Sequence, residues 1–265
     1  MVESINYIFF GCTNYSLELI KFLVKNNRIP KVIFSIPQEF EISYNKEKVR
    51  NYNHGNMEVF AKEHNIKYYE VDSIDGKRTK DYYNVIESMN PDLILVLGWY
   101  YMVPKKIREI AKYGAWGIHA SLLPKYAGGA PLNWAIINGE EETGVTLFRM
   151  ESGVDDGDII DQKKITIDFN DTIKEVYDKA INASKELLKD VFENPSKIVF
   201  TPQDKSKIEV WPQRKPEDGE IDLTKSSKEI YNFIRAQSSP YPGAYIKCVD
   251  NKRLVIDKAH LIDGK

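Results

Sequence analysis

The sequence predicts an α/β fold, a mostly parallel sheet with helices on both faces, followed by a small C-terminal β-containing segment. Three observations predict it. Short, almost continuously apolar runs at 5–10, 31–36, 67–71 and 93–97 read as strands buried on both faces. Stretches with helical spacing separate these runs, as parallel neighbours require. Beyond Pro195 the composition shifts to proline, charge and aromatics, and two short β-like runs follow.

Each element can be justified in order. The run at 5–10 ends at Gly11, and Leu17, Leu19, Ile20, Leu23 and Val24 then recur at helical spacing with Ser16 as N-cap. Residues 31–36 form a second strand stopped by Pro37, and a polar stretch continues to Asn53. A helix over 57–64 precedes the strand 67–71, and a helix over 79–89 leads through Pro91 into the strand 93–97. Pro104 opens a helix to Lys112, since proline suits a first turn. A strand at 115–118, an irregular loop and a helix over 132–137 follow. Runs 143–150 and 159–167 are β-rich, and Asp171-Thr172 caps a long helix reaching Phe192. The boundary falls near 200, giving a catalytic domain over 1–200 and a C-terminal subdomain over 201–265, whose β-like runs are 244–249 and 253–256.

Composition narrows the function classes. Of 265 residues, 42% are hydrophobic and 12% aromatic, ample for a packed core. The formal charge is −2, with no basic block of the kind nucleic-acid binders often carry. Two cysteines without paired spacing and four histidines give a structural metal site little material, so no metal is expected. The opening MVESINYIFF is too short and badly flanked for a signal peptide, and no run of about 18 apolar residues occurs. A soluble cytoplasmic protein with no membrane partner fits these features.

In open α/β sheets, ligands sit beyond the carboxyl ends of the strands. Three loops leave strands in that direction, at Gly98, at His119 and at Glu151. His119 opens HASLLPKYAGGAP, and an imidazole exchanges a proton near pH 7, which suits a general acid or base. The competing reading is a core histidine bonded to backbone. Asp155 sits in GVDDGD between Gly153 and Gly157, where a tight turn can present a carboxylate. A solvated turn and a metal loop compete there, although EF-hand spacing does not fit. GCTNYS near the start matches neither GxGxxG nor a P-loop.

Taken together, these segments carry a resemblance. The run GIHASLLPKYAGGAPLNWAIINGEEETGVTLFRMESGVDDGDII, residues 117–160, resembles the formyltransferase family that uses 10-formyltetrahydrofolate. His119, Ser121, Leu122, Leu123 and Pro124 stand in its N-x-H-x-S-L-L-P motif; Gly153, Asp155, Gly157 and Asp158 stand in its D-x-G-x-D-x-G-D turn. YIFFGCTNYSLELIKFL resembles the family's opening strand and helix, and PDLILVLGWYYMVPK its pteridine-side strand and loop. RKPEDGEIDLTKSSKEIYNFIRAQSSPYPGA resembles the entry to the second domain in the tRNA and sugar branches. Two departures matter. The family's asparagine, two residues before the histidine, falls on Gly117, and the arginine that often follows SLLP-[KR]-[WY] falls on Ala127.

The resemblance implies a Rossmann-like domain and acyl transfer from N10-formyltetrahydrofolate to a primary amine. Protonated His119 would bond the formyl oxygen, and Asp155 would pair with the ring and take the proton the amine loses. Trp99, Tyr101, Met102 and Val103, with Val154 and Asp156, would hold the folate; packing against the helix at Pro104 is the alternative for the aromatics. The sugar branch is favoured, which implies a nucleotide-linked amino deoxy sugar as acceptor and a place in lipopolysaccharide O-antigen biosynthesis. Lys125, Arg214, Lys215 and Arg235 would meet its diphosphate, although each is also an ordinary surface charge. Methionyl-tRNA formylation is the alternative, the tail lacking a basic character that tRNA would demand. A formyl-folate hydrolase, or a relative that binds without turnover because of Gly117, also stays open. The final β runs suggest a homodimer, because a lone strand pair is marginal.

Overall fold

The computed structural model describes residues 5–40, 49–51, 53–72 and 78–262. The first half runs β1 (Tyr7–Phe10), α1 (Asn14–Lys25), β2 (Val32–Ser35), β3 (Glu39–Phe40), β4 (Val49–Arg50), α2 (Met57–Glu63), β5 (Lys67–Glu70), α3 (Tyr83–Met89) and β6 (Leu93–Val96). The second half runs α4 (Lys105–Arg108), β7 (Ala115–His119), β8 (Ala127–Gly128), α5 (Pro131–Ile137), β9 (Glu142–Arg149), β10 (Ile159–Thr166) and α6 (Ile173–Glu193). It ends with β11 (Val210–Trp211), α7 (Ser227–Arg235), β12 (Ala244–Lys247) and β13 (Arg253–Ile256).

Seven strands form one sheet in the order β10-β9-β7-β6-β1-β2-β5. Its central and far strands are parallel, while β9 is antiparallel to both β7 and β10. Side chains alternate between faces along each strand. Tyr7 and Phe9 meet Leu19, Ile20 and Leu23 of α1 and Ile173, Val176 and Leu187 of α6 on one face. Ile8 and Phe10 meet Ile86 of α3 and Ile107 of α4 on the other. Burial of the apolar residues on these two faces stabilises the domain at roughly 25 cal/mol per Å².

Local chemistry explains where elements start and stop. Thr13, not Ser16, caps α1; Ser16 is the third helical residue and bonds back to the Thr13 N–H at 2.8 Å, completing a capping box. The helix expected over 104–112 is a single turn, because Tyr113 N–H is drawn to Asp92 O at 2.8 Å and the chain must turn back into β7. The helix expected over 79–89 begins with a 3₁₀ turn at Thr79–Tyr82. The polar stretch read between Pro37 and Asn53 falls partly outside the described residues, at 41–48 and 52; its remainder holds β3 and β4. An element not anticipated is α7, capped by Ser226 and Glu229.

The later segments pack onto this frame. β11 pairs in parallel with β8, Asn133 Nδ2 donates to Ala236 O at 2.7 Å, and Tyr231 Oη donates to Asn170 Oδ1 at 3.1 Å. β12 and β13 form a separate antiparallel pair, with Leu254 and Val255 exposed. Among the described residues no helix is long and apolar enough to cross a membrane.

Candidate functional site

His119 closes β7 and is buried, with both ring nitrogens facing acceptors. Nε2 donates to Tyr126 O at 2.7 Å, and Nδ1 lies 3.4 Å from Asp155 Oδ2. A backbone carbonyl can only accept, so Nε2 carries a hydrogen and Nδ1 is the nitrogen that faces the carboxylate. Tyr126 aims its carbonyl from a left-handed backbone, φ +54°. Its hydroxyl donates to Glu140, and burial, reinforced by that carboxylate, pushes its pKa up to about 12. It therefore serves as a neutral anchor.

The intervening loop is held by a small polar network. Ser121 Oγ donates to Lys125 O at 2.6 Å, and Thr146 Oγ1 donates to Ser121 O at 2.7 Å while accepting from Leu123 N–H at 3.1 Å. Gln162 Nε2 reaches both Leu123 O (2.9 Å) and Thr146 Oγ1 (2.8 Å). The Thr146 and Gln162 bonds anchor the loop to β9 and β10, so the histidine is presented by the rigid edge of the sheet.

Asp155 does not arrive as the sequence suggests. The spacing predicts that the loop from Glu151 leaves at the carboxyl edge, beside the His119 loop. β9 is antiparallel to β7, with Arg149 opposite Trp116, so the turn leaves the sheet near the amino end of β7. It bends back along β7 to bring the carboxylate to the ring. Gly157 permits that reversal, because a Cβ there would lie 1.7 Å from Arg149 O. Asp155 itself has φ +49°, and its Oδ2 accepts Gly128 N–H at 2.9 Å. Gly128, at φ +91°, approaches so closely that a Cβ would sit 2.5 Å from Trp211 O. Tyr126, Gly128 and Gln203, whose amide bonds Asp155 O and Gly157 O at 2.7 Å each, were not anticipated, because backbone contacts across the loop leave no spacing signal.

Gly117 lies on the same face as His119, two residues earlier. Phe148 is its cross-strand partner. A Cβ on Gly117 would meet Phe148 Cε1 at 3.2 Å and Cζ at 3.4 Å, with Met150 Cγ at 3.6 Å. The floor beside the histidine is therefore apolar.

The loop after β6 leaves one strand over, where Val96 pairs with Gly117. Trp99 packs edge-on against Phe10 and Tyr101, with centroids 5.1 and 5.9 Å apart, and its Nε1 is buried without a partner among the described residues. An orphaned donor of this kind fits a ligand that brings an acceptor. Met102 is 73% exposed. Val103 departs from expectation: its side chain is in the core and its carbonyl accepts Arg108 Nη1 at 2.9 Å, so that carbonyl is not free for a pteridine. Tyr100 and Tyr101 pack chiefly on Phe40, with centroids 5.1 and 5.7 Å away. Nearby Cys12 is buried and donates to Gly98 O at 3.1 Å, and burial pushes its thiol well up, which suits packing and not a thiolate nucleophile. In the other loop Val154 is exposed, while Asp156 pairs with Lys205 at 3.1 Å.

The four basic residues separate. Lys125 and Lys215 are exposed. Arg214 lies over Trp134, 4.7 Å from its centroid, and donates to Asp218 O and Gln237 Oε1. Trp134 stands in a ring ladder with Trp211 and Tyr126, which links Arg214 to the loop of His119. Arg235 is a correction. It is 7% exposed, and its guanidinium donates to Asn232 Oδ1, Asp168 O and Asp171 O, joining α7 to the start of α6. Its Nε and Nη1 are committed within the chain. Among the described residues no group of three or more His, Cys, Asp or Glu side chains is placed to hold a metal ion.

Comparison with known proteins gives a consistent family. Residues 8–192 match the formyl transferase family, and residues 213–265 match the formyl transferase C-terminal domain. A methionyl-tRNA formyltransferase of Thermodesulfovibrio yellowstonii is 30% identical over 258 residues, covering 97% of this chain and 80% of that protein. One from Clostridioides difficile is 40% identical over 194 residues, and the match spans 71% of this chain but only 60% of that relative. Among solved structures, WlaRD, described as a sugar 3N-formyl transferase with dTDP and 5-N-formyl-THF, aligns with TM-score 0.62 at 24% identity, covering 88% of this chain and 79% of that one.

Proposed function

Because the chain belongs to the formyl transferase family, we propose that it moves a formyl group from N10-formyltetrahydrofolate to a primary amine, with His119 and Asp155 at the reacting centre. The observation that carries this reading is the pair itself: Nδ1 of His119 3.4 Å from Asp155 Oδ2, with Nε2 fixed on Tyr126 O. When bound, the folate supplies an activated formyl carbon. His119 offers the Nδ1 proton to the oxygen on which charge builds, while Tyr126 keeps the ring from rotating. Asp155, oriented by Gly128 N–H, accepts the proton the amine loses, and a proton would pass to the folate nitrogen as its bond to the formyl carbon breaks, leaving tetrahydrofolate. Trp99, Tyr101 and Met102 would line the folate, with Val154 and Asp156 on the opposite turn; Val103 contributes packing.

The acceptor in this reading is a nucleotide-linked amino sugar, which would place the protein in O-antigen assembly. Support comes from the tail: residues 213–265 carry ten Lys and Arg against eight Asp and Glu, and Arg235 is buried. A tRNA phosphate backbone calls for a more basic surface. Lys125, Arg214 and Lys215 remain the proposed diphosphate contacts. Methionyl-tRNA is the second reading, favoured by the two curated relatives at 30% and 40% identity. A homodimer through β12 and β13, whose Leu254 and Val255 are exposed, is also proposed and is read by light scattering.

Product mass decides the matter. The enzyme is incubated with 10-formyltetrahydrofolate and, separately, 3-amino and 4-amino deoxy sugar nucleotides and methionyl-tRNA. One added formyl group on a sugar nucleotide is the expected result; formylated methionyl-tRNA alone would select the second reading. His119→Ala and Asp155→Asn should each abolish turnover while leaving the thermal midpoint nearly unchanged. Retained turnover in either variant sinks the assignment.

A further inference from the structure

Gln203 lies between the two regions of family similarity, which end at 192 and resume at 213. Thr201 and Ile159 exchange two backbone hydrogen bonds of 2.8 Å, extending the sheet edge and delivering the next residues over the turn of Asp155. There Gln203, 8% exposed, donates from Nε2 to Asp155 O and to Gly157 O, both at 2.7 Å. Its Oε1 is buried with no partner among the described residues. The amide is thus oriented by its donors alone, toward two carbonyls of one strained turn. The same segment continues to Trp211, whose carbonyl accepts Gly129 N–H at 2.8 Å beside the Gly128 N–H that holds the Asp155 carboxylate.

We propose that Gln203 is a positioning residue for Asp155: by holding the carbonyls of residues 155 and 157 it fixes the left-handed aspartate so that Oδ2 stays between His119 Nδ1 and Gly128 N–H. A non-glycine residue at φ +49° occupies a sparsely populated region and relaxes when its restraints go. Because the carboxylate's contact with the ring is already long, a small rotation of the turn is enough to lose it.

The test rests on proposed catalysis only in its second arm. In the first, the full chain is labelled with ¹⁵N in its four histidine rings, and the His119 signals are identified by their loss in His119→Gln. Asp155→Asn is expected to shift them. Gln203→Met, close in length and lacking a donor, is expected to shift the same signals in the same direction and leave the other three histidines in place. Unmoved His119 signals in Gln203→Met overturn the proposal. In the second arm, kcat for formyl transfer falls about tenfold to hundredfold with KM for the folate unchanged, as expected for a misplaced group. In an Asp155→Asn background Gln203→Met should leave the His119 signals where Asp155→Asn alone puts them, whereas a merely structural residue shifts them further. If Gln203→Met does not fold, Gln203→Glu keeps the shape, repels both carbonyls and is read by the same signals. A wild type without turnover defeats the formyl-transfer reading and leaves the ring signals to decide Gln203.

Discussion

Restoring the family's asparagine at position 117 is expected to harm this protein. Gly117 is buried, and its backbone accepts a side chain, since it lies in a regular strand. Space is the obstacle. The Cβ alone would press on Phe148 at 3.2 and 3.4 Å, and the amide beyond it needs volume that Phe148 and Met150 now occupy. Overpacking of this kind costs about 1–3 kcal/mol. For a protein of this size each kcal/mol moves the thermal midpoint by roughly 2–4 °C. Gly117→Asn should therefore melt several degrees lower and transfer formyl no faster than wild type. Shrinking the neighbour makes room: in Phe148→Leu, adding Gly117→Asn should raise turnover, by up to the roughly 10²–10³ that one oxyanion donor is worth. Paired melting curves and product-mass rates measure both effects. A Gly117→Asn single variant that is faster and equally stable would refute the argument, since it would mean that Phe148 does not control the space.

Other perturbations follow from the same geometry. Gly128→Ala places a Cβ 2.5 Å from Trp211 O at φ +91°, so turnover should fall with the Asp155 contact while α6 and the sheet core stay folded, as circular dichroism would report. Arg235→Met should lower the melting temperature without changing KM for any acceptor; a KM rise alone would return Arg235 to the substrate site. Thr172→Ala removes the cap of α6 and should cost about 1 kcal/mol in urea unfolding. Glu175 has its carboxyl held below the usual range, first by the Thr172 hydroxyl and then by the Thr172 N–H. A lowered folded-state value stabilises above the unfolded-state value and is lost as pH falls through the folded one. The gap between wild type and Thr172→Ala should accordingly narrow as pH drops below the carboxylate range.

Much of the fold was legible because its signals are local. Fully apolar runs marked β1, β2, β6 and β7, and the Asp171-Thr172 pair marked the start of α6. The reversal of β9 was not legible: its composition does not record direction, and only pairing with β7 and β10 sets it. Asp155 therefore comes within 3.4 Å of His119 by a route that the sequence does not display. His119 was legible by type and by position at a strand end. Tyr126 and Gly128 act through main-chain groups, which every residue carries, so identity says little about them, and the Gln203 side chain meets main-chain carbonyls far from it in sequence, which leave no spacing signal. Arg235 shows the converse limit, since a charged residue reads as surface until its carbonyl partners are seen. The Ser226-x-x-Glu229 box that begins α7 was present in the sequence and marks a helix start by rule.

The turn that carries Asp155 is also the end of the β9–β10 ladder, and this has a dynamic consequence. Arg149 N–H donates to Asp158 O at 2.9 Å, and Ile159 N–H donates to Thr201 O at 2.8 Å. The Arg149 amide is released to solvent when that end of the hairpin frays, and the Ile159 amide when the segment at Thr201 lifts away. Fraying is also the motion that draws the carboxylate off the ring. Hydrogen–deuterium exchange at Arg149 thus times the opening of the acid–base pair, through an amide that takes no part in its chemistry.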